Sequence, residues 1–326
     1  MKKRLLIELL VLTSVVCVAC GKDTGDAPTT SSSVQEINLS VDTTDSSGLE
    51  TGGDQNNVSV SSSQVGGAGI CGATTELDYD YDYDDEIKVA VDDAVAASKS
   101  FTDEFAKMDE IIDHIKSRRS QHETQYELNM VSYYFYKVWD CELNNLWDRF
   151  TETVDDKTKD EFLAEQRKWI AIKDVAVEAI LGPRENWGTS YPMIANIVLL
   201  EGTQRRCYYL ADALASYTGQ AYDMPEKSLQ GLYVDTQGTS DIYSSLSAQL
   251  IWGPELDADI TLYRLGTFHG TIEDDDGAGH ALFVSDDGNV KGNITYGWDG
   301  AKFEVTDVTG DSCVSVGEVY EFPFVF

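Results

Sequence analysis

Residues 140–147 read Asp140-Cys141-Glu142-Leu143-Asn144-Asn145-Leu146-Trp147. Asp140, Leu143, Asn144 and Trp147 stand at i, i+3, i+4 and i+7, the spacing that brings side chains onto one face of an α-helix. Leu143 and Trp147 are expected to pack inward, with Asp140 and Asn144 as hydrogen-bonding groups at the edge of that packing. The same period runs outward in both directions. Leu128, Val131, Phe135, Val138 and Trp139 precede the stretch and Phe150 follows it. An earlier stripe begins at Val89, Asp93, Ala96 and Ala97 and continues through Phe105, Met108, Ile111, Ile112 and Ile115. A later one, Phe162, Trp169, Ile172, Ala176 and Ile180, stops at the breaker pair Gly182-Pro183. The last holds Ile197, Leu200, Cys207, Ala211 and Leu214. Helices with one apolar face each imply a small helical bundle over residues 86–225.

Beyond Pro225 the period changes from helical to alternating. Short β-rich runs at 248–252, 260–264, 267–272, 281–284, 293–296, 302–306 and 319–322 are separated by Asp276-Gly277, Asp287-Gly288 and Asp299-Gly300. Asp-Gly between such runs signals a hairpin turn. Residues 226–326 are therefore expected to form an antiparallel β sandwich or small barrel of about six or seven strands. The fold class is α+β and multidomain, a helical bundle followed by the β part.

Residues 20–85 are read as a disordered tether. They are rich in Ser, Thr, Gly and Asp and cannot bury enough apolar surface to offset chain entropy. Its end, the alternating Asp78-Tyr79-Asp80-Tyr81-Asp82-Tyr83-Asp84-Asp85-Glu86, reads as a disordered acidic tract. At the start, Lys2, Lys3 and Arg4 precede a short apolar run that ends Cys17-Val18-Ala19-Cys20-Gly21. The run is too short to span a bilayer, which makes residues 1–19 a signal peptide. The small residues before Cys20 resemble a bacterial lipobox, with lipid on Cys20. The chain is thus expected outside the cytoplasm, anchored by lipid to the cell membrane, or to the outer membrane in a two-membrane cell.

The net charge is -33. No segment is basic, which argues against nucleic acid as a partner. Such a field attracts cationic proteins and speeds their encounter. The four histidines, His114, His122, His269 and His280, form no His-x-x-x-His pair, the Cys-x-x-Cys formed by Cys17 and Cys20 falls at the lipobox-like end of the expected signal peptide, and there is no Gly-x-Ser-x-Gly. The Asp-rich segments 273–277 and 286–288 are better explained as hairpin turns than as calcium loops. No catalytic residue, metal ligand or cofactor is assigned.

Three motifs lie along the helical part: Asp140-x-x-Leu143-Asn144-x-x-Trp147, then Gln166-Arg167-x-Trp169-Ile170-x-x-x-Asp174, then Thr203-x-x-Arg206-x-x-x-Leu210. Together they resemble the LprI-like lysozyme-inhibitor family of small, helical, exported bacterial domains, over roughly residues 125–215. Trp147 stands where that family usually has tyrosine, and Lys173 where it usually has arginine. The resemblance implies a basic lysozyme-type protein as partner and an inhibitor, not an enzyme. The motif residues are expected to define the fold more than the inhibitory surface. Polar groups half-buried between helices need partners, so Arg167 or Arg206 is expected to pair with Asp140 or Asp174. An acidic loop, within 182–193, is the candidate for the approach to the lysozyme cleft.

The usual cysteine pair of the family would fall at Val177 and Val198, so both members are replaced together. Cys141 and Cys207 lie in or beside the motifs, and the expectation is a Cys141–Cys207 disulfide in place of the usual one, or two buried thiols. Cys71 and Cys313 would pair by elimination. The functional expectation is a surface lipoprotein that binds and inhibits lysozyme. The alternative is an adhesion module in which the β part binds glycan or protein and the helices act as a spacer.

Overall fold

The computed structural model describes residues 70–72, 75–239, 242–249 and 256–326, with the backbone alone at 174, 237–239 and 242. The expected signal peptide, the candidate lipidation site Cys20 and most of the expected tether lie outside the described residues. Five α-helices come first: α1 (Asp84–Ala97), α2 (Phe101–Ser117), α3 (Gln125–Thr153), α4 (Asp156–Leu181) and α5 (Tyr191–Thr218). Nine strands follow: β1 (Gly231–Thr239), β2 (Ile242–Gln249), β3 (Leu256–Leu262), β4 (Gly266–Glu273), β5 (His280–Ser285), β6 (Val290–Gly297), β7 (Gly300–Val308), β8 (Val319–Phe322) and β9 (Phe324–Val325).

The helix boundaries follow from local chemistry. The first apolar stripe is split into two helices because Ser98 turns back to the Ala94 carbonyl and Ser100 caps α2 by accepting from the Asp103 amide. Thr124 and Glu127 form a reciprocal capping box at the start of α3. Asp155 caps α4, and Gly182 with Pro183 ends it. Much of the expected core is buried, including Phe105, Met108, Val138, Trp139, Leu143, Leu146, Phe150, Trp169 and Leu214. Val89, Ala96, Ala97 and Ile197, expected on the inward stripes, are exposed instead, and α1 turns Ile87 and Val91 to the core. The long helices α3 and α5 pack most extensively against each other.

The acidic tract is ordered, contrary to expectation. Leu77 and Tyr83 are buried, and the Tyr83 ring meets Tyr134 of α3 edge-on at 5.5 Å. Tyr79 donates to Glu123 at 2.6 Å, and Tyr133 of α3 donates to Asp84 at 2.9 Å. Buried Arg118 holds the preceding segment by donating to the carbonyls of Ile70 (3.0 Å) and Thr75 (2.9 Å). The alternation thus serves packing: tyrosine bodies cover α3 while their hydroxyls and the carboxylates stay at the water edge.

All nine strands lie in one antiparallel sheet, in the order β8-β7-β6-β5-β4-β3-β2-β1-β9. Only Pro323 separates β8 from β9. One bent terminal strand therefore pairs with β7 on one side and β1 on the other, which brings the sheet round into a barrel. Proline fits this switch point because it has no N–H to donate to either ladder. Of the two architectures expected, the barrel is the one found, and the three Asp-Gly pairs lie in hairpin connections as expected. β1 and β9 coincide with none of the expected runs, and β2 meets the expected run 248–252 only at residues 248–249, the rest of that run lying outside the described residues. β9 is only two residues long, and the residues of β1 lack clean alternation because both of its faces are buried. The interior is filled, with Phe283 and Phe303 edge-to-face at 5.6 Å among Tyr233, Ile260, Ile294 and Phe322. Gly292 makes room for this, since a Cβ there would lie 2.2 Å from the Phe303 ring.

Helices and barrel belong to one compact unit. Leu232 and Val234 point out of the barrel yet are buried, on the side where β1 meets α4. Phe326 exchanges backbone hydrogen bonds with Leu232 (2.7 and 3.2 Å) and stacks on Trp169 of α4. At the other edge, Trp298 in the β6–β7 turn meets Tyr208 of α5 and donates to the Pro225 carbonyl at 3.0 Å.

The expected disulfide is not formed, and all four described cysteines are free. Cys207 on α5 lies against the Trp139 carbonyl at 3.6 Å. Cys141 sits on the side of α3 that faces α1, with Lys88 and Asp84 among its charged neighbours. The two thiols thus belong to different helix interfaces, and burial pushes the Cys141 thiol up to about 12. Cys71 lies near Arg118 and Cys313 beside Gly266, so these two do not pair either.

Candidate functional site

The three sequence motifs converge on the packing of α3, α4 and α5. Leu143, Trp147, Trp169, Thr203 and Leu210 are buried there. Asn144 does not look outward for a partner; its amide donates back to the Asp140 carbonyl at 2.8 Å. Asp140 is buried and accepts from the Tyr136 hydroxyl at 3.1 Å, with the ammonium groups of Lys173 (3.7 Å) and Lys137 (3.9 Å) close by. Lys173 also donates to the Tyr136 hydroxyl and lies over that ring. A lysine therefore joins α4 to α3 here through a carboxylate and a phenol.

The expected arginine pairing is different in detail. Arg206 of α5 donates its Nε to Gln166 and its Nη1 to Glu165, both at 2.8 Å on α4, and not to Asp140. Its guanidinium also lies over the Tyr209 ring at 4.8 Å. Arg167 points to solvent, and the side chain of Asp174 lies outside the described residues. The second motif is thus divided: Gln166 and Trp169 face in and Arg167 faces out. Glu165 stands one residue before the second motif, and nothing in the local spacing marks it as the partner of Arg206.

A second polar cluster lies between α2 and α3. Glu104 of α2 and Glu142 of α3 are both buried and share Arg149, which binds Glu104 with both ends of its guanidinium and approaches Glu142 at 3.5 Å. Burial, then the adjoining Glu104, push the Glu142 carboxyl well above the usual range. Polar residues inside a helical stripe were its only sequence signal.

The segment 182–193 forms two short 3-10 turns, tied to α3 where Asn129 donates to the Thr189 carbonyl at 3.2 Å. It carries Arg184 and Glu185, so its charge is balanced. In the barrel, Asp276 and Asp287 accept from backbone amides of their own turns, which holds both carboxyls below the usual range. No cluster of metal-ligating side chains occurs among the described residues. His269 pairs with Asp259 at 2.6 Å on the exposed outer face. An open surface hollow of about 490 Å³ is lined by Tyr243 and Thr261–Thr267 at the β3–β4 hairpin.

Residues 116–210 match the family model of the lysozyme inhibitor LprI. No curated protein and no solved structure matches the chain. The LprI stretch runs from the end of α2 through α3 and α4 into α5, and it includes every motif residue quoted above. It leaves out the barrel and the aromatic-acidic segment. Asp140, Leu143, Trp147, Gln166, Trp169, Thr203, Arg206 and Leu210 of the motif are buried where the helices pack, Asn144 bonds back to its own helix, and Arg167 points to solvent.

Proposed function

We propose that this chain is a cell-surface lipoprotein that binds and inhibits lysozyme and so protects the cell wall. The match of residues 116–210 to LprI carries this reading. The net charge of -33 supports it, because a strongly acidic surface steers a basic enzyme to encounter. In this reading residues 1–19 are removed as a signal peptide, Cys20 takes the lipid, and the segment up to residue 69 is a spacer. The LprI motif maintains the scaffold, and the contact surface lies outside the motif.

The test uses the chain from Gly21 to Phe326, since the helical part alone would lose the Phe326 cover of Trp169. Affinity for a basic lysozyme and residual cell-wall lysis are measured together at about 20 mM and about 150 mM salt. Binding that persists at the higher salt and suppresses lysis is expected. Binding that disappears at the higher salt with lysis unaffected would reduce the interaction to screened charge attraction and end the proposal.

A further inference from the structure

The β3–β4 hairpin turns through Leu262-Tyr263-Arg264-Leu265, closed by the Leu265 amide donating to the Leu262 carbonyl at 3.0 Å. Arg264 has a φ of +65°. A positive φ at the third residue of such a turn is the type II geometry, which favours glycine or asparagine. The chain instead places a long cation there and bears the strain, a pattern that gathers at functional positions. Tyr263, Arg264 and Leu265 are all exposed. The β7–β8 connection lies alongside, with Cys313 4.0 Å from the Cβ position of Gly266, and it exposes Val316 and, at the start of β8, Val319. This end of the barrel therefore presents one cation within an apolar rim.

The charge of Arg264 stands out against its surroundings. Residues 231–326 hold 17 acidic side chains and 3 basic ones. Of the basic ones, Lys302 pairs with Glu321 at 2.6 Å, and Lys291 stands directly across from Asp307. Arg264 has no ion pair among the described residues; its guanidinium lies over the Tyr263 ring at 5.1 Å. Tyrosine and arginine are the residue types that dominate interface energetics when an anchor is buried.

We propose that the tip Tyr263-Arg264-Leu265 is the element that enters the substrate cleft of the bound lysozyme, with Arg264 beside the cleft carboxylates. This rests on the lysozyme-inhibitor reading above. Glycoside hydrolases place two carboxylates across the bond they cut. A projecting guanidinium can take both oxygens of one of them, and flanking tyrosine and leucine cover the apolar walls that otherwise hold sugar rings. The acidic remainder of the surface then faces the basic exterior of the enzyme, so the two partners match in sign both inside and outside the cleft.

The experiment compares the wild-type chain (Gly21–Phe326) with Arg264→Gly and Tyr263→Ala for binding and inhibition of a basic lysozyme, and adds a cleft-filling chito-oligosaccharide as competitor. Arg264→Gly suits the turn, so its thermal stability is expected to equal or exceed the wild type's, which separates binding from folding. Each variant is expected to weaken inhibition about tenfold or more, and the oligosaccharide to compete with the wild type. Inhibition within twofold of wild type in both variants, or no competition by the oligosaccharide, overturns the inference while leaving the inhibitor reading intact. A wild-type chain that does not bind lysozyme overturns both.

Discussion

The Trp169 indole lies nearly parallel to the Phe326 ring, with centroids 5.7 Å apart and planes 24° from each other. A residue of the LprI motif is therefore also the place where the end of the barrel strand docks on the helices. Gly202 of α5 completes the slot, because a Cβ there would lie 2.5 Å from the same phenylalanine ring. Phe326→Ala is expected to cost about 3–5 kcal/mol, as other large-to-small changes of buried aromatics do. Gly202→Ala should destabilise by forcing the ring aside, and the double variant should lose less than the sum of the two. Chemical denaturation of the four proteins reads this; strict additivity would remove the slot from the account.

Arg118→Ala is expected to release residues 70–83 from the helices. The guanidinium is the donor to two carbonyls of that segment and lies over the Tyr83 ring at 5.5 Å. Limited proteolysis should then cut between residues 75 and 83 at protease levels that leave this segment of the wild type uncut. Equal resistance in the variant would show that Tyr83 and Leu77 suffice to hold the segment.

Glu142 carries a pH signature. Its folded carboxyl sits well above the unfolded value of 4.5, so between those limits the folded chain holds a proton that the unfolded chain has lost. Stability from this group is full below about pH 4.5 and declines as pH rises through the window. Glu142→Gln removes the proton exchange. The variant should gain on the wild type as pH rises from 4.5 towards 8, measured as unfolding midpoints across that range. A constant difference would mean that Arg149 keeps Glu142 ionised.

Lys227 has the opposite slope. Its side chain is half-buried, but its amine is enclosed by the Ser228 and Gln230 carbonyls and the Tyr233 hydroxyl (2.7 Å). Burial, with Arg205 nearby, lowers it from 10.5 to about 6. Between these values the unfolded chain holds the proton and the folded chain does not, so stability rises with pH across the window. The wild type should gain on Lys227→Met from pH 6 towards pH 10. A parallel pair of curves would place the charged amine in the folded protein.

Much of the helical part was legible because a bundle built of single-faced helices writes its burial into the sequence every three or four residues. Trp139, Leu143, Leu146, Phe150 and Leu210 were readable in that way, and so were the Asp-Gly turns that divide the strands. The Tyr-Asp tract misled for a physical reason. Alternation with carboxylates looks solvated on both sides unless α3 is known to offer an aromatic surface for Tyr83. The two buried glutamates and the Glu165–Arg206 pair were hidden because a charged residue inside a helix gives no sign of which neighbour will face it.

The sequence by itself determined the helix periods, the breaks at Gly182-Pro183, the three hairpin turns, the acidic field and the LprI motif string, because each depends on residues close along the chain or on composition alone. Only the tertiary structure decided that the sheet closes through a strand bent at Pro323, that Phe326 docks on Trp169, that Cys141 and Cys207 face different helices, and that Arg264 projects, with no ion pair among the described residues, from a turn that favours glycine. Those outcomes depend on which distant surfaces meet, and no local spacing encodes such a meeting.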